Sequence, residues 1–276
     1  IDGDKATISS GRSRFKLSTL PAGDFPALED IQVNSSFTIP QATLRKVIEK
    51  TAFAMAQQDV RYYLNGLMLE LSGSMVRAVA TDGHRLALCE TDAGINVPES
   101  RQVIIPRKGV LELMRMLDTA DADATVSLSS NHIRVDMGSL RFTSKLIDGR
   151  FPDYQRVMPV DGDKVVTTDK QDLRLALTRT SILSNEKYKG VRLSAEANVL
   201  KIQTNNPEQE EAEEELEVQY DGEHIEIGFN VNYMLDVLNS IEEDAVTIEL
   251  KDSNSSCLVQ EAGAQTAKYV IMPMRL

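Results

Sequence analysis

The stretch Thr81-Asp82-Gly83-His84-Arg85 holds the most reactive-looking juxtaposition in the chain, a carboxylate two residues from an imidazole that it could orient as a general base. Nothing accompanies it. The other histidines, His132 and His224, share no ligand spacing with it, and Cys89 and Cys257 are isolated, so neither a metal set nor a disulfide framework is present. There is no G-x-x-x-x-G-K-[ST] phosphate loop, no H-E-x-x-H zinc helix and no G-x-S-x-G elbow. Without a nucleophile or a metal, Asp82-Gly83 reads as a tight turn after a strand over 75–80. The chain is read as non-enzymatic, with no cofactor.

Other residues point to binding. Arg12 and Arg14 share a strand with Phe15 and Leu17, while an acidic run covers residues 208–215 with Glu210, Glu211, Glu213 and Glu214. A solvated face is the ordinary explanation of such a run. A basic edge and an acidic one in different parts of the chain also fit head-to-tail association into a closed ring, with Ile182 and Leu183 as the apolar part. Arg45, Lys46, Glu49 and Lys50 are expected to lie away from the buried Leu44, Val47 and Ile48, and Arg107, Lys108 and Arg115 flank a second helical stripe. Such faces could line a passage for duplex DNA, though ordinary solubilising charge explains them equally well. The segment QQDVRYYLNG sets Tyr62 and Tyr63 beside Arg61, where they could stack on bases or touch the backbone; in a strand, one Tyr would instead point into the core. The end, Val270-Ile271-Met272-Pro273-Met274-Arg275-Leu276, is apolar and methionine-rich, which suits a groove for short peptides.

These residues must be positioned by a chain of 276 residues, enough for two domains or slightly more. No apolar run approaches the roughly 18 residues that span a bilayer. The opening does not read as a signal peptide, and two isolated cysteines fit a reducing compartment, so a cytoplasmic protein is expected. The net charge of −12 argues against tight phosphate binding. It does not argue against weak attraction confined to one inner surface.

An internal repeat organises the whole. Leu44, Arg45, Ile48 and Thr51 recur 129 residues later as Leu173, Arg174, Leu177 and Thr180. Val110, Leu113, Met114 and Leu117, an i, i+3, i+4, i+7 stripe, recur 121 residues later as Val231, Met234, Leu235 and Leu238, and Pro152 matches Pro273 at the same offset. Strands expected over 103–105 and 225–227 precede the second pair, and alternating strands follow it. Pro40 and Asp169 sit where helix starts want them. Arg14-Phe15 followed by Phe25-Pro26 resembles Arg141-Phe142 followed by Phe151-Pro152, so the opening fits the tail of a further copy whose upstream residues are expected to be missing. The expected division is residues 1–37 as that remnant plus linker, 38–153 as one repeat and 154–276 as the next. Each repeat is α+β, two helices packed on antiparallel sheet.

Taken together, GRSRFKLSTLPAGDFP, QQDVRYYLNG, VATDGHRLA, IPRKGVLELMRMLD, FTSKLIDGRFPDY, ILSNEKYKGVRL, NNPEQEEAEEE, GFNVNYMLDVLN and YVIMPMRL closely resemble, in order, the bacterial DNA sliding clamp family, the beta subunit of DNA polymerase III. The resemblance covers the chain from about residue 10 onward. It implies repeated DNA-clamp domains, a homodimeric ring when full length, sequence-independent encirclement of duplex DNA and loading by an ATP-driven clamp loader. It also implies tethering of DNA polymerases and repair proteins that insert a Gln-Leu-x-Leu-Phe motif into a groove. The implied groove comprises Leu64, Thr81, Gly83, His84, Arg85, Leu86, Pro152, Arg156 and Val157 with Asn230, Tyr233, Ser256, Val270, Met272, Pro273, Met274 and Arg275. Asn254 departs from the aliphatic residue often found there. Gln58, Arg61, Tyr62, Tyr63, Arg107 and Lys108 are implied to face DNA. Arg12, Arg14, Phe15 and Leu17 are implied to meet Ile182, Leu183, Glu210, Glu211, Glu213 and Glu214 of a second subunit, although ring closure without most of a first domain is in question. A non-ring scaffold would keep the groove without topological dependence on DNA, and an enzyme would need a pocket around Asp82 and His84.

Overall fold

The structure, a computed structural model, describes residues 1–25, 31–118, 122–263 and 266–275. Pro26 of the opening motif and Leu276 of the closing one lie outside them. The chain forms two compact units, Ile1–Gln32 and Val33–Leu276. In the first, β1 (Lys5–Ser10) and β2 (Ser13–Ser18) make an antiparallel hairpin around Gly11, whose φ of +57° suits a residue without a Cβ. Ile8 pairs with Phe15 and Ala6 with Leu17 on one face, which puts Arg14 and Lys16 on the other.

In the second unit, β3 (Ser35–Pro40), α1 (Gln41–Glu49), β4 (Gly66–Thr81), β5 (Arg85–Pro106), α2 (Arg107–Met116), β6 (Asp123–Leu128), β7 (His132–Met137) and β8 (Leu140–Lys145) form one repeat. β3 thus starts ahead of the boundary expected at 38. A connector leads to β9 (Lys164–Asp169), α3 (Lys170–Ser181), β10 (Gly190–Glu196), β11 (Val199–Asn205), β12 (Glu211–Glu217), β13 (Ile225–Asn230), α4 (Val231–Ser240), β14 (Ala245–Leu250), β15 (Cys257–Glu261) and β16 (Ala267–Ile271). The helices start where the sequence signals them. Pro40 precedes α1, and the Asp169 carboxylate caps α3 by accepting the Asp172 N–H at 2.9 Å. Leu44, Val47 and Ile48 of α1, and Val110 and Leu113 of α2, are buried as the stripes require.

β4 and β5 are long because each doubles back. Residues seven apart in a straight strand lie about 23 Å apart, yet Arg77 Nη1 donates to Glu70 Oε2 at 2.6 Å. The pairing with β5 shifts register on either side of Gly73, which has φ +59° and provides the reversal. Two four-stranded sheets, β3-β6-β7-β8 and β12-β11-β10-β13, flank a six-stranded one, β4-β5-β16-β15-β14-β9. Every pairing within these sheets is antiparallel.

The six-stranded sheet joins the repeats through β5 and β16, with Arg85 opposite Ile271, Leu86 opposite Val270, Ala87 opposite Tyr269 and Cys89 opposite Ala267. Side chains alternate across this seam. Ala87, Cys89, Ala267, Tyr269 and Ile271 enter the main core, which runs through both repeats. Leu86, Leu88 and Val270 face the other way, into a small separate cluster with Met68, Val79, Ile104, Phe151, Tyr154 and Leu258.

One sequence expectation is corrected. Lys50 is not on a solvent-facing basic surface: its side chain is 5 % exposed and its Nζ donates to Glu261 Oε1 at 2.7 Å and to the Ser240 carbonyl at 2.8 Å, both in the other repeat. It follows the end of α1, where the chain turns inward, and its partners lie too far along the sequence for periodicity to show. Arg45 and Lys46, which do lie outside, are matched by Glu49 and Glu242. Removing one member of a buried pair strands the other charge, so Glu261→Ala should cost about 3 kcal/mol in urea unfolding. Combining Lys50→Met with Glu261→Met should recover most of that loss. A Glu261→Ala midpoint equal to wild type would mean the pair does not hold the repeats together.

A candidate peptide-binding groove

At the Arg85 end of the seam, the turn between β4 and β5 is built by its own side chains. Asp82 Oδ1 accepts the N–H groups of His84 and Arg85 at 2.9 and 3.0 Å, and Thr81 Oγ1 accepts that of Gly83 and donates to the Arg85 carbonyl. Gly83 has φ +88°, and a Cβ there would meet the Arg61 guanidinium. Asp82 is therefore engaged with backbone and with Arg85 rather than with the His84 ring, which stacks on Tyr233 at 6.5 Å. This supports the turn reading over a general base.

Arg85 is the corner post. Its guanidinium donates to Asp82, to Asp236 on α4 and to the Phe53 carbonyl, and lies 4.6 Å from the centre of the Tyr233 ring. Beside it opens a cavity of about 150 Å³. Leu64, Leu86, Val270 and Tyr154 are its buried apolar lining, over the small cluster, and Pro152 and Val157 of the connector form a wall. Thr81, Gly83 and Arg85 close one side, and Met272 stands half-exposed at the mouth. The volume is below the roughly 300–1,000 Å³ of small-molecule sites and suits an inserted side chain. Val157 and Met272 also border a shallower cavity of about 340 Å³ that includes Arg156, Ser256 and Lys251.

Nine of the groove residues expected from the sequence line the deep cavity: Leu64, Thr81, Gly83, Arg85, Leu86, Pro152, Val157, Val270 and Met272. His84 and Tyr233 stand against Arg85 or each other at its edge, and Arg156 and Ser256 lie in the adjoining hollow. The closing residues then leave it. The Met272 N–H donates to the His84 carbonyl, Pro273 is half-buried, and the Met274 N–H donates to the Gly228 carbonyl. Met274 and Arg275 line a separate polar cavity of about 710 Å³ on the β10–β13 sheet, with Tyr188, whose carbonyl accepts from Asn230. Asn254 lies in an exposed turn bonded to Asp252, outside the deep cavity. Arg61, Asp153 and Tyr154 line the cavity but were not expected there. Tyr154 follows directly on the Phe-Pro-Asp motif, and its apolar neighbours were the available signal.

Of the residues expected at DNA, Gln58, Arg107 and Lys108 share one shallow hollow with Arg115. The two tyrosines are not in a strand. They open a one-turn 3-10 helix, Tyr62–Leu64, with Tyr62 exposed and Tyr63 packed on the small cluster. Arg61 lines the groove cavity, its guanidinium held by Asp59 at 2.9 and 3.0 Å.

The residues expected between subunits divide by strand parity. On the hairpin, Phe15 and Leu17 are exposed, Arg14 lies on the opposite face, and Arg12 is in the turn. Ile182, just past α3, is 76 % exposed and Leu183 half-buried. Glu211 and Glu213 are exposed on the edge strand β12, and Glu210 is in the preceding turn, hydrogen-bonded to Asn206. Glu214 points to the other face, where Arg179 of α3 binds it at 2.5 and 2.8 Å and holds its carboxyl below the usual range.

Family models match residues 38–153 as the central domain, and 155–275 as the C-terminal domain, of the DNA polymerase III beta subunit. The chain is 56 % identical over its whole length to the beta sliding clamp of Pseudomonas aeruginosa and 55 % identical to that of Escherichia coli, spanning 75 % of each. It superposes on a crystal structure of the Pseudomonas aeruginosa clamp bound to griselimycin with a TM-score of 0.96, covering all of this chain and 75 % of that one at 56 % identity.

The Asp59–Arg61 contact makes a pH prediction. The hydrogen bond from Arg61 lowers the Asp59 carboxyl to about 2. A folded value below the unfolded one keeps this contact intact above about pH 4 and loses it only as pH falls toward 2. Carboxyl-carbon NMR should give that low midpoint in the wild type and a higher one in Arg61→Ala, still below about 3.9 because the backbone N–H of residue 61 continues to donate to Asp59. A wild-type midpoint near 4 would mean Arg61 is not held there.

Proposed function

The chain belongs to the bacterial sliding clamp family, the beta subunit of DNA polymerase III, and on that premise we propose that the cavity at the seam is where DNA polymerases and repair proteins dock. The carrying observation is an apolar cavity of side-chain size built jointly by two repeats and lined by nine of the implied groove residues. The docking element is a Gln-Leu-x-Leu-Phe-type peptide, whose apolar side chains enter the cavity beside Met272. The protein is a processivity factor rather than a catalyst. Tethering keeps a polymerase at high effective concentration beside the primer end.

The two whole repeats are residues 38–153 and 154–276, with 1–37 belonging to a preceding repeat and linker. In the cytoplasm, two full-length subunits close a ring, opened by a clamp loader. The exposed Phe15 and Leu17, with Arg12 and Arg14 beside them, meet Ile182, Leu183 and the acidic run of the other subunit. Glu210, Glu211 and Glu213 are better placed for that contact than Glu214, which Arg179 already binds. Gln58, Arg107 and Lys108, with Arg61, Tyr62 and Tyr63 nearby in sequence, face duplex DNA. Contacts that permit sliding must be weak and directed at phosphate rather than base edges.

A labelled Gln-Leu-Ser-Leu-Phe peptide should bind with a Kd around micromolar, about −8 kcal/mol, in a polarisation titration. Met272→Ala and Tyr233→Ala should each weaken it about tenfold. A folded sample that fails to bind would rule out this groove. For duplex DNA at low salt, replacing Arg107 and Lys108 by Ala should flatten the slope of log K against log salt by about 2, and an unchanged slope would remove them from the DNA surface.

A further inference from the structure

We propose that Glu70 and Arg77, neither of which lines the cavity, are positioning residues for peptide binding and act through Tyr154; this rests on the groove reading above. Residues 148–163 connect the repeats and supply Pro152 and Val157 as one cavity wall. Apolar packing of Phe151, Tyr154 and Met158 holds that connector against the sheet. Among the described residues its hydrogen bonds to other elements are that of Asp163, which accepts from Lys164 where β9 begins, and those of a single atom beside the cavity. The Tyr154 hydroxyl donates to Glu70 Oε2 at 2.9 Å and accepts from Arg77 Nη1 at 2.8 Å.

That atom meets a braced receptor. Glu70 Oε2 also accepts from Arg77 at 2.6 Å, and its Oε1 accepts from Gln102 at 2.9 Å. The other edge of the Arg77 guanidinium grips Glu90 on β5. One guanidinium is shared by two carboxylates, and the geometry is set by strands that the Gly73 reversal brings side by side. Tyr154 opens the one-turn 3-10 helix Tyr154–Val157, so anchoring its hydroxyl fixes how far Val157 stands from Leu86 and Val270 across the cavity. Hydrophobic packing alone is non-directional and would leave the turn free to slide over the cluster. The hydroxyl supplies direction.

The test uses the whole chain and the same labelled peptide. Tyr154→Phe keeps the ring in its cluster and removes only the hydroxyl. It should weaken binding about five-fold, the equivalent of one hydrogen bond. Glu70→Gln should weaken it similarly, and the double variant should be no worse than the weaker single one, because both cut the same link. Amide exchange should quicken at residues 155–158 and stay unchanged at the β5–β16 seam, whereas general destabilisation would quicken both. If wild type binds and Met272→Ala binds more weakly, yet Tyr154→Phe and Glu70→Gln both bind as wild type, the groove stands and the positioning role is wrong. If wild type itself fails to bind, the groove reading falls and takes this inference with it.

Discussion

The groove of the second unit hangs on the short antiparallel seam between β5 and β16. Because strand side chains alternate, one pairing does two jobs. Ala87, Cys89, Tyr269 and Ile271 close the main core, while Leu86, Leu88 and Val270 form the base of the groove on the opposite face. A slip of one residue would exchange the two sets and abolish both. Register is therefore the quantity this structure has to protect. Charged ties stand toward both ends of the seam. Arg85 itself reaches Asp236 on α4 at one end. Lys50 lies near the other, close enough that its charge acts on the Cys89 thiol, and joins Glu261 and the Ser240 carbonyl. Each demands a particular alignment of the repeats, which hydrophobic burial alone does not.

Local structure was largely legible in the residues. The two apolar stripes at an offset of 121 placed α2 and α4, Asp169 marked the start of α3, and Asp82-Gly83 announced a turn whose bonds are those an Asx residue makes. The groove itself was not readable from spacing, since Leu64, Leu86, Pro152 and Val270 come from four distant segments and look like ordinary core. The repeat implied two similar units but said nothing of which strands would join them. Resemblance to a family supplied those positions, and it carried Met274 and Arg275 along with Met272. Past Pro273 the Met274 N–H bonds to Gly228 of β13, and Met274 and Arg275 line a cavity separate from the one Met272 borders. Lys50 was misplaced for a related reason: a lysine after a helix looks solvated until a carboxylate 211 residues away is brought beside it. Glu214 shows the opposite case. The alternation that separates it from Glu211 and Glu213 was present in the sequence, hidden by reading a charge run as a block.

Charge is distributed so that most cations near the groove and the repeat junction already have partners. Arg77, Arg85, Arg61 and Lys50 are each matched to carboxylates within the chain. Arg77, Arg85 and Lys50, the less exposed of these, act as structure, and their charges are not available to attract phosphate. By contrast Arg107 and Lys108 sit in an open hollow at the start of α2 and form no carboxylate ion pair among the described residues. On a chain of net charge −12, a small unpaired basic surface gives attraction that is weak and local. A protein that moves along DNA needs that balance, since tight contacts would hold it at one place.

A similar restraint governs the groove. Its deep part holds about 150 Å³, enough for one or two apolar side chains. Fully burying such a side chain contributes roughly 1.5–3 kcal/mol, and ordering a flexible peptide offsets part of it. The walls are fixed beforehand by Arg85 on one side and Tyr154 on the other, so little further cost falls on the protein. Met272 stands half-exposed at the mouth, and in the proposed role its unbranched side chain would repack around peptides of differing shape. Rigid walls with one soft edge give recognition of a short motif at modest affinity. Modest affinity lets one partner leave and another take its place, which a single shared docking site requires.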